Sequence, residues 1–178
     1  MEVVEMIERY QIRLATADET TRSGISGDAI KMDGGKVMQD GMVDTIKANK
    51  SAIVEALKAQ IAAEDARHAK IAAIDGLAEI RAAQAAYGDY RARLEQAQED
   101  ETAVWPARPQ PELDDVARQY PRAAAYVKAD EWSLSDNYHK ATAGARALNR
   151  IIDGEDYEQV LAEMASEWTA YVNRHLFD

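Results

Sequence analysis

The sequence predicts a mainly α-helical protein: a small αββα N-terminal module with a β-hairpin, a long helix or helical hairpin, and a C-terminal helical bundle. Three observations predict it. Alanine and charged residues dominate, and Phe occurs once; alanine, Glu, Lys, Arg and Gln lose little side-chain entropy in a helix. Apolar residues recur at helical spacing over most of the chain. Only two short stretches, both near the N-terminus, have the alternating or compact apolar pattern of strands.

The length and composition narrow the class of protein before any motif is considered. A chain of 178 residues can bury its own core as one domain, or as a small module joined to a second one. The absence of cysteine excludes disulfides, thiolate zinc sites and cysteine nucleophiles. The N-terminus carries acids where a secretory signal carries positive charge, and no apolar run approaches a membrane span. We therefore expect a cytoplasmic protein, in the host cytoplasm if phage-encoded.

Acidic residues outnumber basic ones, and the excess is largest toward the C-terminus. The formal net charge is −11, of which residues 101–178 contribute −6, from 14 acids and 8 bases. Direct nucleic-acid binding is not expected, because affinity for phosphates depends on Lys and Arg displacing counterions. An acidic protein can instead bind basic surfaces, including those that normally hold nucleic acid. Solubility alone is the alternative explanation of the charge.

The first region, residues 1–59, contains the elements of the predicted αββα module. A short amphipathic helix precedes a strand around Ile12 and Leu14, and Ala29–Met32 forms the second strand candidate. Between them, residues 20–27 have turn composition, and Asp33-Gly34-Gly35 predicts a tight turn. A helix is then expected to begin near Asp40. Its apolar stripe consists of Val43, Ile46, Ile53, Leu57 and Ile61.

The rest of the chain divides into a connector, a linker and an acidic domain. Residues 60–103 predict a long helical connector, as one helix or as two that break at Asp75-Gly76. Residues 104–111 contain three prolines, so they predict a linker and a domain boundary. Residues 112–178 predict a helical domain, with Pro121 in the first turn of a helix and Gly154 as a helix stop. Ser133 or Ser135 is the expected cap of the helix that ends there.

The order of elements in the first region resembles a known family. A helix, Ile12-Arg13-Leu14, Gly27-Asp28-Ala29-Ile30, Gly34-Gly35 and a helix with Asn49-Lys50 follow one another. This layout is similar to the TubC-type N-terminal docking domain of megasynthetases, from which it departs by a longer 18–27 insert. The resemblance covers the first third of the chain. It implies a hairpin that receives a short partner segment, here on Ala29–Met32, and a module that often pairs with itself as a homodimer.

The last third of the chain resembles small uncharacterised proteins of phages and other mobile elements. The resemblance is carried by a Tyr-Pro-Arg-Ala-Ala-Ala-Tyr run at 120–126, by Gly-Glu-Asp-Tyr-Glu at 154–158, and by Glu167-Trp168. It implies a genetic setting rather than an activity.

Catalytic and metal-binding patterns are missing from the sequence. His68, His139 and His175 do not have metal-ligand spacing, although Asp136 and His139 are placed to hydrogen-bond on a predicted helix. Gly34-Gly35-Lys36 departs from a phosphate-binding loop, since Val37 stands where Ser or Thr would bind magnesium. We expect no catalytic residue, no cofactor and no metal. An enzyme with an unrecognised carboxylate–metal site remains the third alternative.

The function predicted from these observations is protein binding without catalysis. The leading hypothesis is a mobile-element-encoded, anti-CRISPR-like inhibitor that binds a basic protein or ribonucleoprotein surface of a host nucleic-acid-handling complex. The alternative is an adaptor that captures a peptide on the N-terminal hairpin. The candidate contacts on the acidic surface are Glu112, Asp114, Asp115, Glu155, Asp156 and Glu158, although helix-start preference also explains them. Those on the hairpin and linker are Ala29, Ile30, Lys31, Met32 and Trp105.

Overall fold

The computed structural model of the chain describes residues 2–23, 28–32, 41–99 and 104–176. Within these ranges it contains nine helices and a two-stranded antiparallel sheet, which confirms the predicted mainly α fold with a hairpin near the N-terminus. No helix in these ranges is long and apolar enough to span a membrane. The elements in chain order are α1 (Val3–Tyr10), β1 (Ile12–Leu14), α2 (Ala17–Ser23), β2 (Ile30–Met32), α3 (Met42–Ala48), α4 (Lys50–Ala72), α5 (Leu77–Glu99), α6 (Leu113–Gln119), α7 (Pro121–Ser133), α8 (Tyr138–Ile152) and α9 (Tyr157–Leu176).

The chain divides into two compact units, 1–66 and 67–178, rather than into the three segments that the sequence analysis expects. The boundary between the units falls inside α4. Helix α5 belongs to the second unit, because its Leu77 and Ile80 are buried in the same core as residues of α6–α9. The proline-rich segment 104–111 therefore joins two helices of one unit.

The first unit is organised around the predicted hairpin. Strands β1 and β2 pair antiparallel, with Ile12 opposite Met32 and Leu14 opposite Ile30. The core beneath them is made of buried residues from α1, β1, α3 and α4, namely Met6, Ile7, Ile12, Ile46, Ile53 and Leu57. The turn expected at 33–35 and the helix start expected near Asp40 lie outside the described residues.

The segment between the strands contains a helix that the sequence analysis does not predict. Helix α2 occupies part of the stretch interpreted as turn, of which residues 24–27 lie outside the described ranges. A capping box starts it: the Glu19 backbone N–H donates to Thr16 Oγ1 at 3.3 Å, and the Thr16 N–H donates to the Glu19 carboxylate at 3.0 Å. This Thr-x-x-Glu pattern is a recognised helix start and was readable in the sequence.

The apolar stripe predicted for residues 43–61 is divided between two helices. Helix α3 ends at Ala48, where the Asn49 side-chain amide donates to the Thr45 carbonyl at 2.8 Å, and α4 begins at Lys50. Ile46, Ile53 and Leu57 are buried as predicted. Val43 and Ile61, which the sequence analysis included in this stripe, are 42% and 46% exposed. The buried part of the stripe is therefore smaller than predicted.

The second unit packs α7 and α8 closely together, with α9, α6 and α5 around them. The predicted break at Asp75-Gly76 is present: α4 ends at Ala72, and Gly76 has a positive φ of 74° just before α5. Pro121 occupies the first turn of α7, and Gly154 follows α8 with φ of 95°, as predicted. The expected serine cap of α8 is wrong, because Asn137 caps it by accepting from two backbone N–H groups.

Candidate functional site

The α5–α6 corner brings together two of the predicted contact regions. It consists of Tyr87 on α5, Trp105 and Arg108 in the segment 104–111, and Glu112 and Asp114 at the start of α6. Trp105 is 63% exposed. It lies three residues before Arg108, so their Cα atoms are within about 11 Å of each other. Because Trp, Tyr and Arg concentrate binding energy at interfaces, this exposed Trp is a candidate contact.

Arg108 attaches the proline-rich segment to both neighbouring helices. Its pKa is raised above the ordinary arginine value, first by a hydrogen bond to the Tyr90 side chain and then by the charge of Glu112. The guanidinium lies 3.6 Å from the Glu112 carboxylate. Tyr90 is itself next to Tyr87, with 6.0 Å between ring centroids. The segment expected to be a linker is therefore bonded through Arg108 to Tyr90 of α5 and to Glu112 before α6.

Two depressions lie on either side of Pro109, which lines both. The first, the acidic cleft, has a volume of about 240 Å³ and is lined by Tyr87, Arg108, Pro109, Glu112, Leu113 and Asp114. The second, the apolar groove, has a volume of about 420 Å³ between α5 and α6. Besides Pro109, its lining consists of Glu79, Ala82, Ala83, Ala86, Gln110, Pro111, Val116, Gln119 and Tyr120.

The acids of the corner differ in whether they already form ion pairs within the chain. Asp115 pairs with Arg118 one turn later, and Glu112 pairs with Arg108. Within the described residues, no hydrogen bond or ion pair engages the Asp114 carboxylate, and its side chain is exposed. Surface ion pairs contribute little stability, so Glu112 also stays accessible to a competing cation. Asp114 is the strongest candidate contact of the six predicted acids.

The second predicted acidic cluster has intramolecular roles. Glu155 accepts a hydrogen bond from Arg150 at 2.8 Å. Asp156 caps α9, since its carboxylate accepts from the backbone N–H groups of Glu158 and Gln159 at 2.9 and 3.0 Å. Only Glu158 is exposed without such a bond in the part of the chain that the structure describes. This cluster lies at the turn between α8 and α9, whereas the first lies where α6 packs on α5. Sequence reasoning placed both in one acidic surface.

Some of the predicted hairpin contacts are already bonded within the chain, and others have backbone groups that face away from β1. Ala29 is buried, and its carbonyl accepts from the Ala15 N–H at 2.8 Å. Lys31 is paired with Glu19 at 2.5 Å. The register places Ile30 and Met32 at positions whose backbone N–H and C=O point away from β1. Among the described residues, no strand pairs with this outer edge of β2.

A row of rings between α7, α8 and α9 was missed as a unit by sequence reasoning. His139 stacks on Tyr171 at 4.1 Å between centroids, Trp168 stacks on Tyr171 at 5.5 Å, and Trp132 meets Trp168 edge-on at 6.2 Å. Lys140 lies over the Trp132 ring at 5.1 Å. Tyr138, at the end of the row, is 76% exposed. The helical spacing of Trp168 and Tyr171 placed them on one face of α9, but Trp132 and His139, which complete the row, come from α7 and α8.

The histidines do not gather into a metal site within the described ranges, where no group of three or more His, Asp or Glu side chains converges. Asp136 and His139, whose spacing would allow a hydrogen bond, are not joined by one in the described part of the chain. The His139 backbone N–H instead donates to the Asn137 side chain at 3.0 Å.

Comparison with known proteins adds no relative. No protein-family model matches the chain, and searches of curated proteins and of solved structures find no match either. The candidate site therefore rests on its own geometry.

Proposed function

We propose that this chain is a non-enzymatic protein-binding protein, encoded by a mobile element, which acts in the host cytoplasm as an anti-CRISPR-like inhibitor. In this proposal it covers a basic surface of a host nucleic-acid-handling complex. The observation that carries the proposal is the α5–α6 corner, where a cleft is lined by Glu112 and by Asp114, whose carboxylate has no bond among the described residues. The exposed Trp105 lies three residues before Arg108, which also lines this cleft.

The charge of the chain supports a basic partner. The net charge is −11, which repels nucleic acid and attracts surfaces rich in Lys and Arg. An aromatic anchor with carboxylates around it is the composition expected for binding a Lys/Arg-rich surface, since rings and carboxylates both attract cations. The homodimer expected through the N-terminal module stays a separate proposal, which analytical ultracentrifugation over a concentration series tests.

The experiment is a quantitative affinity capture from a lysate of the source host. The test variant combines Trp105→Ala with Asp114→Lys, and the matched control is Asp65→Lys, which makes the same charge reversal at an exposed acid of α4. We expect wild type and control to capture the same basic protein or complex, and the test variant to lose it. Retention by the test variant, or equal loss from both variants, overturns the proposal.

A competition arm tests the inhibitor role. If the captured surface normally holds nucleic acid, then added double-stranded DNA or RNA displaces the complex from the chain. Binding also weakens by a large factor between about 50 and about 200 mM salt, as it does for surfaces that exchange counterions. Capture that is indifferent to both nucleic acid and salt argues against this role.

Strand capture on the hairpin is a second candidate function, favoured by the outer edge of β2. Met32→Pro removes the outward N–H of that edge without removing a bond to β1, because prolines are tolerated at such edge positions. Met32→Val keeps the N–H and is the matched control. Partner capture that survives Met32→Pro eliminates strand addition, provided that hydrogen exchange shows the hairpin intact.

A further inference from the structure

The two depressions at the α5–α6 corner lie close enough to bind one short segment together. Pro109 lines both of them. On α5, Tyr87 faces the acidic cleft and Ala83 the apolar groove; these residues are one turn apart, or about 6 Å along the helix axis. A short segment can therefore reach both depressions.

The charges around the corner determine what each depression accepts. Among the described residues, the acids Glu79, Glu112 and Asp114 line the two depressions, and Arg108 is the one base that lines them. Arg108 already demonstrates how a guanidinium is bound at this place, by the Tyr90 side chain and the Glu112 carboxylate. Tyr87 is 42% exposed, so its ring and the Asp114 carboxylate are accessible to a second cation.

The groove accepts a different kind of side chain. Its floor is built from alanine methyl groups of α5, and Val116 and Tyr120 close the α6 side. Its volume of about 420 Å³ exceeds that of a cavity of about 150 Å³, which is large enough to hold a benzene ring. A Leu, Met or aromatic side chain fits it, and burial of such a side chain is favourable by about 25 cal/mol per Å².

From this arrangement we infer that the partner of the corner is a short amphipathic segment with one basic and one large apolar side chain. The basic side chain enters the acidic cleft beside Asp114, and the apolar one enters the groove over Ala83 and Ala86. The separation of about 6 Å corresponds to positions three or four apart in a helix, or two apart in a strand. This inference rests on the proposed function and adds the chemistry of the partner.

The test is a selection of random dodecapeptides displayed on phage against the intact chain. Enriched sequences are expected to share Lys or Arg next to a large apolar residue at one of these spacings. Fluorescence polarisation of the best peptide then measures affinities for four variants. Ala86→Glu and Asp114→Asn are the test variants, while Ala92→Glu on α5 and Asp65→Asn on α4 make the same changes at exposed positions outside the corner.

Each test variant is expected to weaken the peptide roughly tenfold, which corresponds to about 1.4 kcal/mol, and each control to leave it unchanged. Circular dichroism confirms that the variants fold. Selection that yields no enriched peptide, peptides without the basic–apolar pair, or binding equal in test and control variants overturns the inference. If these fail while the Trp105→Ala and Asp114→Lys combination still abolishes host capture, the proposed function stands and only the partner's chemistry is wrong.

Discussion

At the scale of single residues, Glu19 has the strongest electrostatic role in the first unit. Its carboxylate accepts two hydrogen bonds from Arg13 of β1, both at 2.8 Å, and one from Lys31 of β2 at 2.5 Å. The bidentate arginine contact is the stronger kind. These bonds, the one from Arg13 first, lower the pKa of Glu19 far below its ordinary value. One carboxylate thus joins both strands to α2.

This arrangement predicts an acid-sensitive hairpin. Because the folded state lowers the pKa of Glu19, its contribution to stability is complete above the ordinary value of 4.5 and is lost as the pH falls toward the folded-state value. We expect Glu19→Gln to reduce hydrogen-exchange protection of β1 and β2 at neutral pH, and by less at low pH. Glu8→Gln, an exposed acid on α1, is the control. Equal protection in both variants at neutral pH contradicts the prediction.

Gly144 is required by the close approach of α7 and α8. A Cβ added there would lie 2.7 Å from Trp132 Cβ and 2.6 Å from the Trp132 carbonyl carbon, whereas one added to Gly88 of α5 meets nothing within 4 Å. We expect Gly144→Ala to destabilise the protein by about 1–3 kcal/mol through overpacking. Gly88→Ala should stabilise it by about 0.5–1 kcal/mol, since alanine favours helix. Urea denaturation followed by circular dichroism measures both, and a stabilised Gly144→Ala would refute the packing account.

At the scale of elements, helix starts explain acids that the sequence alone suggested as contacts. Asp156 opens α9 as Asn137 opens α8, each by accepting from backbone N–H groups that have no partner within their helix. Glu155 pairs with Arg150, which also donates a hydrogen bond to Glu163 at 2.5 Å. These two carboxylates, Glu163 first and then Glu155, raise the pKa of Arg150. The α8–α9 turn is thus organised for stability.

Replacement of the α9 cap separates stability from binding. Asp156→Ala should lower the free energy of unfolding by about 1 kcal/mol and leave host capture unchanged once the variant is folded. Glu158→Ala, two residues later, should change stability by less than about 0.5 kcal/mol. Thermal denaturation and the capture assay measure the two properties. If folded Asp156→Ala lost host capture, Asp156 would have to contact the partner as well as cap α9.

At the scale of the whole molecule, the two units have separate cores. Ile53 is fully buried in the first core and Ile151 in the second. Among the described residues, the first core contains six buried residues and the second sixteen, so we expect the first unit to open at a lower free energy. Their sizes differ enough for hydrogen exchange to distinguish them.

Truncation of these two isoleucines tests the division. Ile53→Ala and Ile151→Ala should each cost about 2–5 kcal/mol, with lost exchange protection mainly in the unit that contains the substitution. Hydrogen-exchange mass spectrometry on the full chain gives the location. A loss that spreads equally over both units in either variant would show that they unfold as one.

Residue spacing and local backbone preference were sufficient to predict part of the fold. Helix content, the two strands, the break at Gly76, Pro121 at a helix start and Gly154 after a helix all follow from residue spacing and backbone preference. Helix α2 was missed although its Thr16–Glu19 capping box is also local. The candidate site was harder to predict from the sequence. Whether a carboxylate can bind a partner depends on which Lys and Arg side chains of the folded chain already pair with it.

The sequence by itself determined the mainly helical fold, the hairpin strands and the acidity of the chain. Only the tertiary structure decided that α5 belongs to the second core and that Arg108 bonds the proline-rich segment to Tyr90. It also decided that, among the described residues, Asp114 has no bonding partner while Asp156 caps a helix. The physical reason is the range of the interactions. Backbone preference acts within a few residues, whereas burial and side-chain pairing depend on helices distant in sequence that pack together.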